Sequence, residues 1–317
     1  MTGFEVLAVG RLGVDLYPQT IATPLAQVEQ FGRYLGGTAG NVAVAAARHG
    51  RRVALVSRTG ADPFGEFLHT ALRGFGVDDR WVTPVAGLPT PITFCEIFPP
   101  DTFPIWFYRY PSAPDLQIEP AELDLDAVRA ARVLWLTGTG LSAQPSRAAH
   151  HAMLATRDRR PYTVLDLDYR PTLWPDEDSA RREIGAAVRR VDVAVGNLAE
   201  CEIAVGESDP EAAAEALLAA GVRLAVVKQG PAGVLARTTT ERVQLPPLPV
   251  EVVNGLGAGD AFGGALCHGL LAGWPLADTI AFANAAGALT AGRLACSVDM
   301  PYLAEVTALL ERMAPDA

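Results

Sequence analysis

Short, largely apolar runs recur along this chain, and each ends in a glycine or a polar residue. Residues 6–10, 53–57, 133–137, 163–168, 191–196 and 224–228 carry this pattern. Runs of that length, rich in Val and Leu and bounded by turn residues, predict strands buried on both faces. Stretches with helical spacing lie between them or after them: 42–48, 62–76, 146–157, 179–190, 210–220, 258–272, 276–291 and 302–312. Buried strands alternating with helices predict a mostly parallel sheet covered on both faces, an α/β fold. A hairpin is expected over 233–245. The β-branched run 250–253 reads as a further strand, and residues 18–34 show no sustained period.

One block breaks the rhythm. Residues 92–98 and 104–110 are two aromatic, β-prone runs joined by the turn Pro99-Pro100-Asp101. They predict an antiparallel piece standing outside the α/β body.

Composition narrows the classes. The chain has 317 residues, 50% hydrophobic and 20% charged, which suits a globular protein with a large core, as one large domain or a domain with an appendage. The net charge of −10 argues against nucleic acid as a partner. Any anionic substrate must then be held by local positive groups. No apolar run approaches the ~20 residues that span a membrane. The first residues lack a basic start and a long apolar run, so a cytoplasmic protein is expected. Cys95, Cys201, Cys267 and Cys296 have no paired spacing and are expected to be reduced and mostly buried. The five histidines form no metal pattern.

Open α/β sheets bind ligands beyond the carboxyl ends of their strands. Asp15, Arg170, Asn197, Glu200 and Lys228 fall there, with Asn254-Gly255-Leu256-Gly257-Ala258-Gly259-Asp260-Ala261-Phe262. In that last stretch small residues let backbone N–H groups approach an anion at a helix start. A carboxylate, Asp260, stands in the same turn. A carboxylate repels an anion, so a general base beside a phosphate is one reason for it; a plain helix start is the other. Glycines, carboxylate and lysine together suit phosphoryl transfer. The Walker pattern, the protein-kinase set, the dinucleotide fingerprint and Gly-x-Ser-x-Gly are all absent.

Gly36-Gly37-Thr38-Ala39-Gly40-Asn41 and Gly257-Ala258-Gly259-Asp260 resemble the two signatures of the ribokinase-like (PfkB) carbohydrate kinase family. The likeness runs through nearly the whole chain, including Asn197-x-x-Glu200 and Lys228-x-Gly230-x-x-Gly233. It implies a three-layer α/β/α sandwich with a small β-sheet lid. The body would be residues 1–12, 37–88 and 114–317, and the lid 13–36 and 89–113. It implies ATP and Mg²⁺, with Asp260 as catalytic base and Gly257, Ala258 and Gly259 as the anion hole. Asp15, Gly36, Gly37 and Asn41 would bind the sugar. Asn197 and Glu200 would organise Mg²⁺ and phosphates, Glu200 indirectly. Lys228, Gly230, Gly233 and Asn284 would line the nucleotide site. Most relatives have Asp-Thr where this chain has Asn254-Gly255, which puts a monovalent cation in doubt. Relatives often pair their lids, so a homodimer through the lid is expected.

Two arginines bear on the acceptor. Arg109 ends the stretch Trp106-Phe107-Tyr108-Arg109-Tyr110, and Arg170 lies in Asp166-Leu167-Asp168-Tyr169-Arg170-Pro171. A fork of guanidinium donors matches a carboxylate. Both stretches resemble the family's kinases of keto-deoxy sugar acids. That implies phosphorylation of a terminal hydroxyl, first of 5-dehydro-2-deoxy-D-gluconate from myo-inositol breakdown. 2-Keto-3-deoxygluconate and a neutral sugar or nucleoside stay open as acceptors, and so does a non-catalytic nucleotide-binding regulator.

Overall fold

The computed structural model describes residues 3–313; residues 1–2 and 314–317 of the two end ranges lie outside the described residues. The chain opens with β1 (Val6–Val9), β2 (Gly13–Pro18), β3 (Phe31–Gly36), α1 (Thr38–Arg48), β4 (Val53–Gly60), α2 (Pro63–Gly74) and β5 (Val77–Val85). The two aromatic strands follow, β6 (Ile92–Cys95) and β7 (Ile105–Tyr108). The βα rhythm resumes with α3 (Leu125–Ala130), β8 (Val133–Thr137), α4 (Ser146–Arg157), β9 (Thr163–Asp166), α5 (Glu177–Val188) and β10 (Val193–Asn197). It continues through α6 (Leu198–Val205), α7 (Pro210–Ala219), β11 (Leu224–Lys228), β12 (Val234–Arg237) and β13 (Arg242–Leu245). Three helices close the chain: α8 (Ala258–Ala272), α9 (Leu276–Ala291) and α10 (Leu303–Met313).

Nine strands form one sheet in the order β13-β12-β11-β10-β9-β8-β1-β4-β5. The seven from β11 to β5 are parallel, and the β12–β13 hairpin adds antiparallel at one edge. Alternation divides the apolar strands between two cores. On β1, Val6 and Ala8 pack with α1, α8 and α9, whereas Leu7 and Val9 pack with α4 and α5. The same split on β8 sends Trp135 one way and Leu134 and Leu136 the other. Helices on both faces explain why these strands read as continuous apolar runs. The fold is the three-layer α/β/α sandwich.

A second, four-stranded sheet has the order β3-β2-β6-β7. Its strands fall inside residues 13–36 and 89–113. β2 leaves the main sheet three residues after β1, so the small sheet is rooted at the carboxyl end of β1. Among the described residues no helix is long and apolar enough to cross a membrane.

Several elements differ from expectation. Asp15 lies inside β2, not in a turn, with Tyr34 and Thr93 as its neighbours across the sheet. Residues 250–253 form no strand: the Val253 and Asn254 N–H groups both donate to the Ala291 carbonyl, so this run follows the end of α9. β3 and β5 had no apolar period because Gly32, Arg33, Asp78, Asp79 and Arg80 sit on strands with half-buried or exposed positions. α6 is two turns long, too short for a period to show, and is set by its cap.

α1 and α8 cross closely because α8 carries Gly263 and Gly264. A Cβ on Gly264 would lie 2.4 Å from Ala45 Cβ and 2.7 Å from Ala46 N. Gly264→Ala should therefore lower stability by about 1–3 kcal/mol through overpacking, despite the better helix propensity of alanine. A denaturant midpoint equal to that of the unmodified protein would remove this packing argument.

Candidate active site

A cleft of about 780 Å³ opens where the small sheet overhangs the carboxyl ends of β1, β9, β10 and β11. Its floor is the start of α8. Gly257 precedes the helix at φ +80°, a left-handed conformation that glycine adopts without strain, and a Cβ there would lie 2.4 Å from Cys296 Sγ. The first-turn amides of α8, from Ala258 through Asp260, have no intrahelical acceptor. A Cβ on Gly259 would sit 3.2 Å from Lys228 Nζ. The ammonium is therefore set directly against that helix start, and the two together make an anion seat.

Asp260 stands in the same turn, open to the cleft on one side and enclosed on the other. Enclosure pushes its carboxyl up to about 6; the hydrogen bond from Asn41 pulls it down, Asp168 raises it, and Arg11 and Lys228 lower it. Asn41 Nδ2 donates to Asp260 Oδ2 at 2.8 Å. That leaves Asn41 Oδ1 buried without a donor among the described residues. A buried orphan acceptor at a cleft wall is a place for a ligand hydroxyl. Asn41 is brought there by α1, which starts after Gly37 at φ +90°.

Asp15 faces the same space from β2. Burial pushes its carboxyl up to about 7, against the opposing charge of Arg11 and a hydrogen bond donated by Tyr17. The Tyr17 hydroxyl also lies 2.8 Å from Cys296 Sγ. Gly36 is packed behind Asp15: a Cβ there would fall 2.0 Å from Asp15 Cγ. Gly36 thus makes room for the carboxylate and does not itself line the cleft.

At the other end, Asn197 and Glu200 cap α6 reciprocally. Asn197 Oδ1 accepts from the Glu200 N–H at 2.9 Å, and Glu200 Oε2 accepts from the Asn197 N–H at 2.7 Å. Both residues line the cleft. Burial alone would lower the Lys228 pKa, but Asp166, Glu200 and Asp260 outweigh it and hold the group above its usual value. The lysine therefore stays charged. Gly230, Gly233 and Asn284 line the outer end, beside an apolar slot that includes Leu248, Val250, Gly287 and Ala288. Asn284 Nδ2 donates to the Pro246 carbonyl at 2.9 Å.

One expected residue is elsewhere. Arg109 does not line the cleft; its guanidinium is tied to Asp115 at 2.8 Å in a nearly buried pair. A local acid absorbs the charge that sequence reading had assigned to the substrate. Arg170 does reach the cleft and pairs with Asp168 at 3.2 Å. Asn254 is fully buried: Nδ2 donates to the Leu294 carbonyl at 2.7 Å and Oδ1 accepts from the Leu256 N–H at 3.0 Å. The side-chain amide itself joins these two loops.

Three site residues were not assigned from sequence: Arg11, Asp166 and Asp168. All follow or end a buried strand, β1 or β9, so the strand-end rule that picked Asn197 and Lys228 applied to them too. Asp168 has φ +30°, a strained backbone for a residue with a side chain. Arg11 and Arg170 hold its carboxyl below the usual range even though burial opposes this. Asp166 is pushed up to about 8 by burial, with Lys228 opposing.

Among the described residues no three His, Cys, Asp or Glu side chains form a metal cage. Asp166 and Glu200 supply a few hard carboxylate oxygens beside the anion seat. A sparse oxygen set suits Mg²⁺, which keeps several waters and binds through phosphates.

The family model described as pfkB family carbohydrate kinase matches residues 4–302. A 5-dehydro-2-deoxygluconokinase of Clostridium perfringens is 30% identical over 316 residues, covering 98% of this chain and 93% of that protein. The crystal structure of a PfkB protein from Polaromonas sp. JS666 is 26% identical with a TM-score of 0.84, covering 96% of this chain and 100% of that one. A fructokinase from Vibrio cholerae O395, in fructose, ADP and calcium ion bound form, is 25% identical with a TM-score of 0.84, covering 98% of this chain and 100% of that one.

Burial of Asp15 has a measurable cost. Its folded-state pKa of about 7 lies above the ordinary 3.8, so this carboxyl costs nothing below about pH 4 and takes stability away as pH rises from there through 7. Asp15→Asn should leave the thermal midpoint near that of the parent at pH 4 and raise it by several degrees at pH 8. A midpoint difference that does not change with pH would contradict the assignment.

Proposed function

The chain belongs to the pfkB family of carbohydrate kinases and is an ATP-dependent sugar kinase, and on that premise we propose that it phosphorylates the terminal hydroxyl of a keto-deoxy sugar acid. The first candidate is 5-dehydro-2-deoxy-D-gluconate, converted to its 6-phosphate. The observation that carries the kinase chemistry is Asp260 among the free amides of α8, with Lys228 Nζ against Gly259. For the acid acceptor, the support is the kinase of that name from Clostridium perfringens, which is similar along nearly the whole chain. Positive side chains inside an acidic cleft support it too.

In this reading the apolar slot near Asn284 takes the adenine, and Gly230 and Gly233 let the backbone approach the nucleotide. The phosphates run toward Lys228 and the start of α8. Asn197 and Glu200 order that end, where Mg²⁺, held with Asp166 and Glu200, would neutralise phosphate charge. The acceptor lies under the small sheet, with hydroxyls on Asp15 and Asn41 and one edge along Gly37. Asp260 takes the proton from the terminal hydroxyl, held in line by Asn41. The freed oxygen bonds to the γ-phosphorus, and the bond to the β-phosphate oxygen breaks, with its electron pair leaving on ADP. The α8 amides receive the charge on the transferred group.

A neutral-sugar kinase is the second reading, favoured by the likeness to the fructokinase fold with fructose bound. Turnover of a panel of sugar acids beside fructose and ribose separates the two. Turnover of fructose or ribose with none of any acid would overturn the acid assignment.

Asp260→Asn should lower kcat by about 10²–10⁴. A nucleotide-induced rise in thermal midpoint should be kept. For the unmodified enzyme kcat/KM should fall below pH about 6, as the base becomes protonated. Near-normal turnover of the variant would remove Asp260 from this role.

The same proposal includes a cytoplasmic location, which suits four unpaired buried cysteines. It also includes a homodimer through the small sheet. Trp106, Tyr108 and Tyr110 expose 54%, 60% and 80% of their surface there, beside an edge strand. Sedimentation at working concentration should give twice the chain mass; a monomer throughout would count against it.

A further inference from the structure

With Arg109 bound to Asp115, the acceptor half of the cleft needs another cation if it is to hold an acid. Arg11 is already there. It follows β1, lies under the Phe107 ring of the small sheet at 5.6 Å, and lines the cleft with Asp15 and Asn41. We propose that Arg11, clamped by Asp168, is the specificity-determining residue that receives the carboxylate of the acceptor; this deepens the acid-kinase reading above and rests on it.

Three observations support this. The first is the use of its donors. Nε donates to Thr139 Oγ1 at 3.3 Å, and Nη2 donates to both Asp168 oxygens, at 3.2 and 3.1 Å, and to Thr38 Oγ1. Nη1 has no acceptor among the described residues, and although the side chain is only 7% exposed it lines the cleft. One end of the fork is fixed and the other is free.

The second is charge. Asp168 is shared by Arg11 and Arg170, so the triad carries one net positive charge. One carboxylate balances it. Asp15 and Asp260 lie near the same charge, and burial pushes both carboxyls up toward their neutral forms. The third is rigidity. Thr139 Oγ1 donates to Asp168 Oδ2 at 2.9 Å, and the strained backbone of Asp168 aims its carboxylate between the two arginines. A guanidinium held from behind loses little freedom when it binds a ligand.

The arginines then divide the work. Arg170 has Glu200, Asp260 and Asp166 about its guanidinium besides Asp168, toward the phosphate end, whereas Arg11 lies against the Phe107 ring of the small sheet and its charge is felt at Asp15. Arg11 therefore serves the acceptor and Arg170 the transferred group.

The test uses the full chain and three acceptors: 5-dehydro-2-deoxygluconate, 2-keto-3-deoxygluconate and fructose. The unmodified enzyme should turn over an acid in preference to fructose; failure here overturns the acid-kinase reading itself, and this inference with it. Arg11→Lys keeps the charge and loses the fork. It should lower kcat/KM for the acid by about ten- to a hundredfold, mostly through KM. KM for ATP should stay near its parent value, and kcat/KM for fructose should change far less than that for the acid. An equal loss on acid and neutral acceptors, or a loss confined to kcat, would assign Arg11 to structure or to the phosphoryl group and overturn the inference while leaving the acid-kinase reading intact. Should Arg11→Lys fail to fold, Arg11→Gln, which keeps a donor for Asp168 and removes the charge and the fork, must raise KM for the acid in the same selective way; an unchanged acid preference there overturns the inference equally.

Discussion

The N-terminus of α8 must keep its first amides unpaired while a carboxylate stands among them. These two demands oppose each other, since the field that favours an anion at a helix start is weakened by Asp260. Lys228 resolves the conflict by placing its ammonium against Gly259, and Asn41 resolves it by donating to the carboxylate. Every larger feature of the fold serves this arrangement. α8 can lie close to α1 and to Trp135 only because Gly263 and Gly264 carry no side chain. β11 delivers Lys228, and α1 delivers Asn41.

Around that helix start the cleft collects Asp15, Asp166, Asp168, Glu200 and Asp260 against Arg11, Arg170 and Lys228. Such crowding raises some carboxyls and lowers others. Asp15, Asp166 and Asp260 are pushed up mainly by burial, whereas Asp168 is held down by its two arginines. Two acidic groups in one site thereby acquire different tasks: Asp260 can take a proton near neutral pH, and Asp168 stays ionised as an anchor. A site of this kind costs stability, and the two large apolar cores on either side of the sheet supply it.

The small sheet ties recognition to the body through a very short link. β2 begins three residues after β1, and those residues include Arg11. One segment thus carries a cleft cation, the turn that starts the small sheet, and then Asp15. Gly36 returns the chain behind Asp15, and Gly37 starts the helix that bears Asn41. Any shift of the small sheet must move or strain this segment, which couples Arg11 and Asp15 to the position of the overhanging strands.

The repeating apolar runs, the glycine turns and the polar residues after each strand were legible in the sequence, because buried parallel strands demand unbroken apolarity and anion-binding turns demand small residues. From these came the sheet, both its covering layers, and Asp260, Lys228, Asn197, Glu200 and Asn41 in one place. Pairings between distant residues were not legible. Arg109 was expected to meet the substrate, but Asp115 absorbs its charge, and Arg11, which carried no assignment from sequence, is fixed in the cleft by Asp168. The strand-like run at 250–253 was claimed by the end of α9. Local pattern determines which segments become buried strands and helices, since burial and backbone hydrogen bonding act at short range. Which charge meets which depends on the three-dimensional path of the chain, and only the tertiary structure decides that.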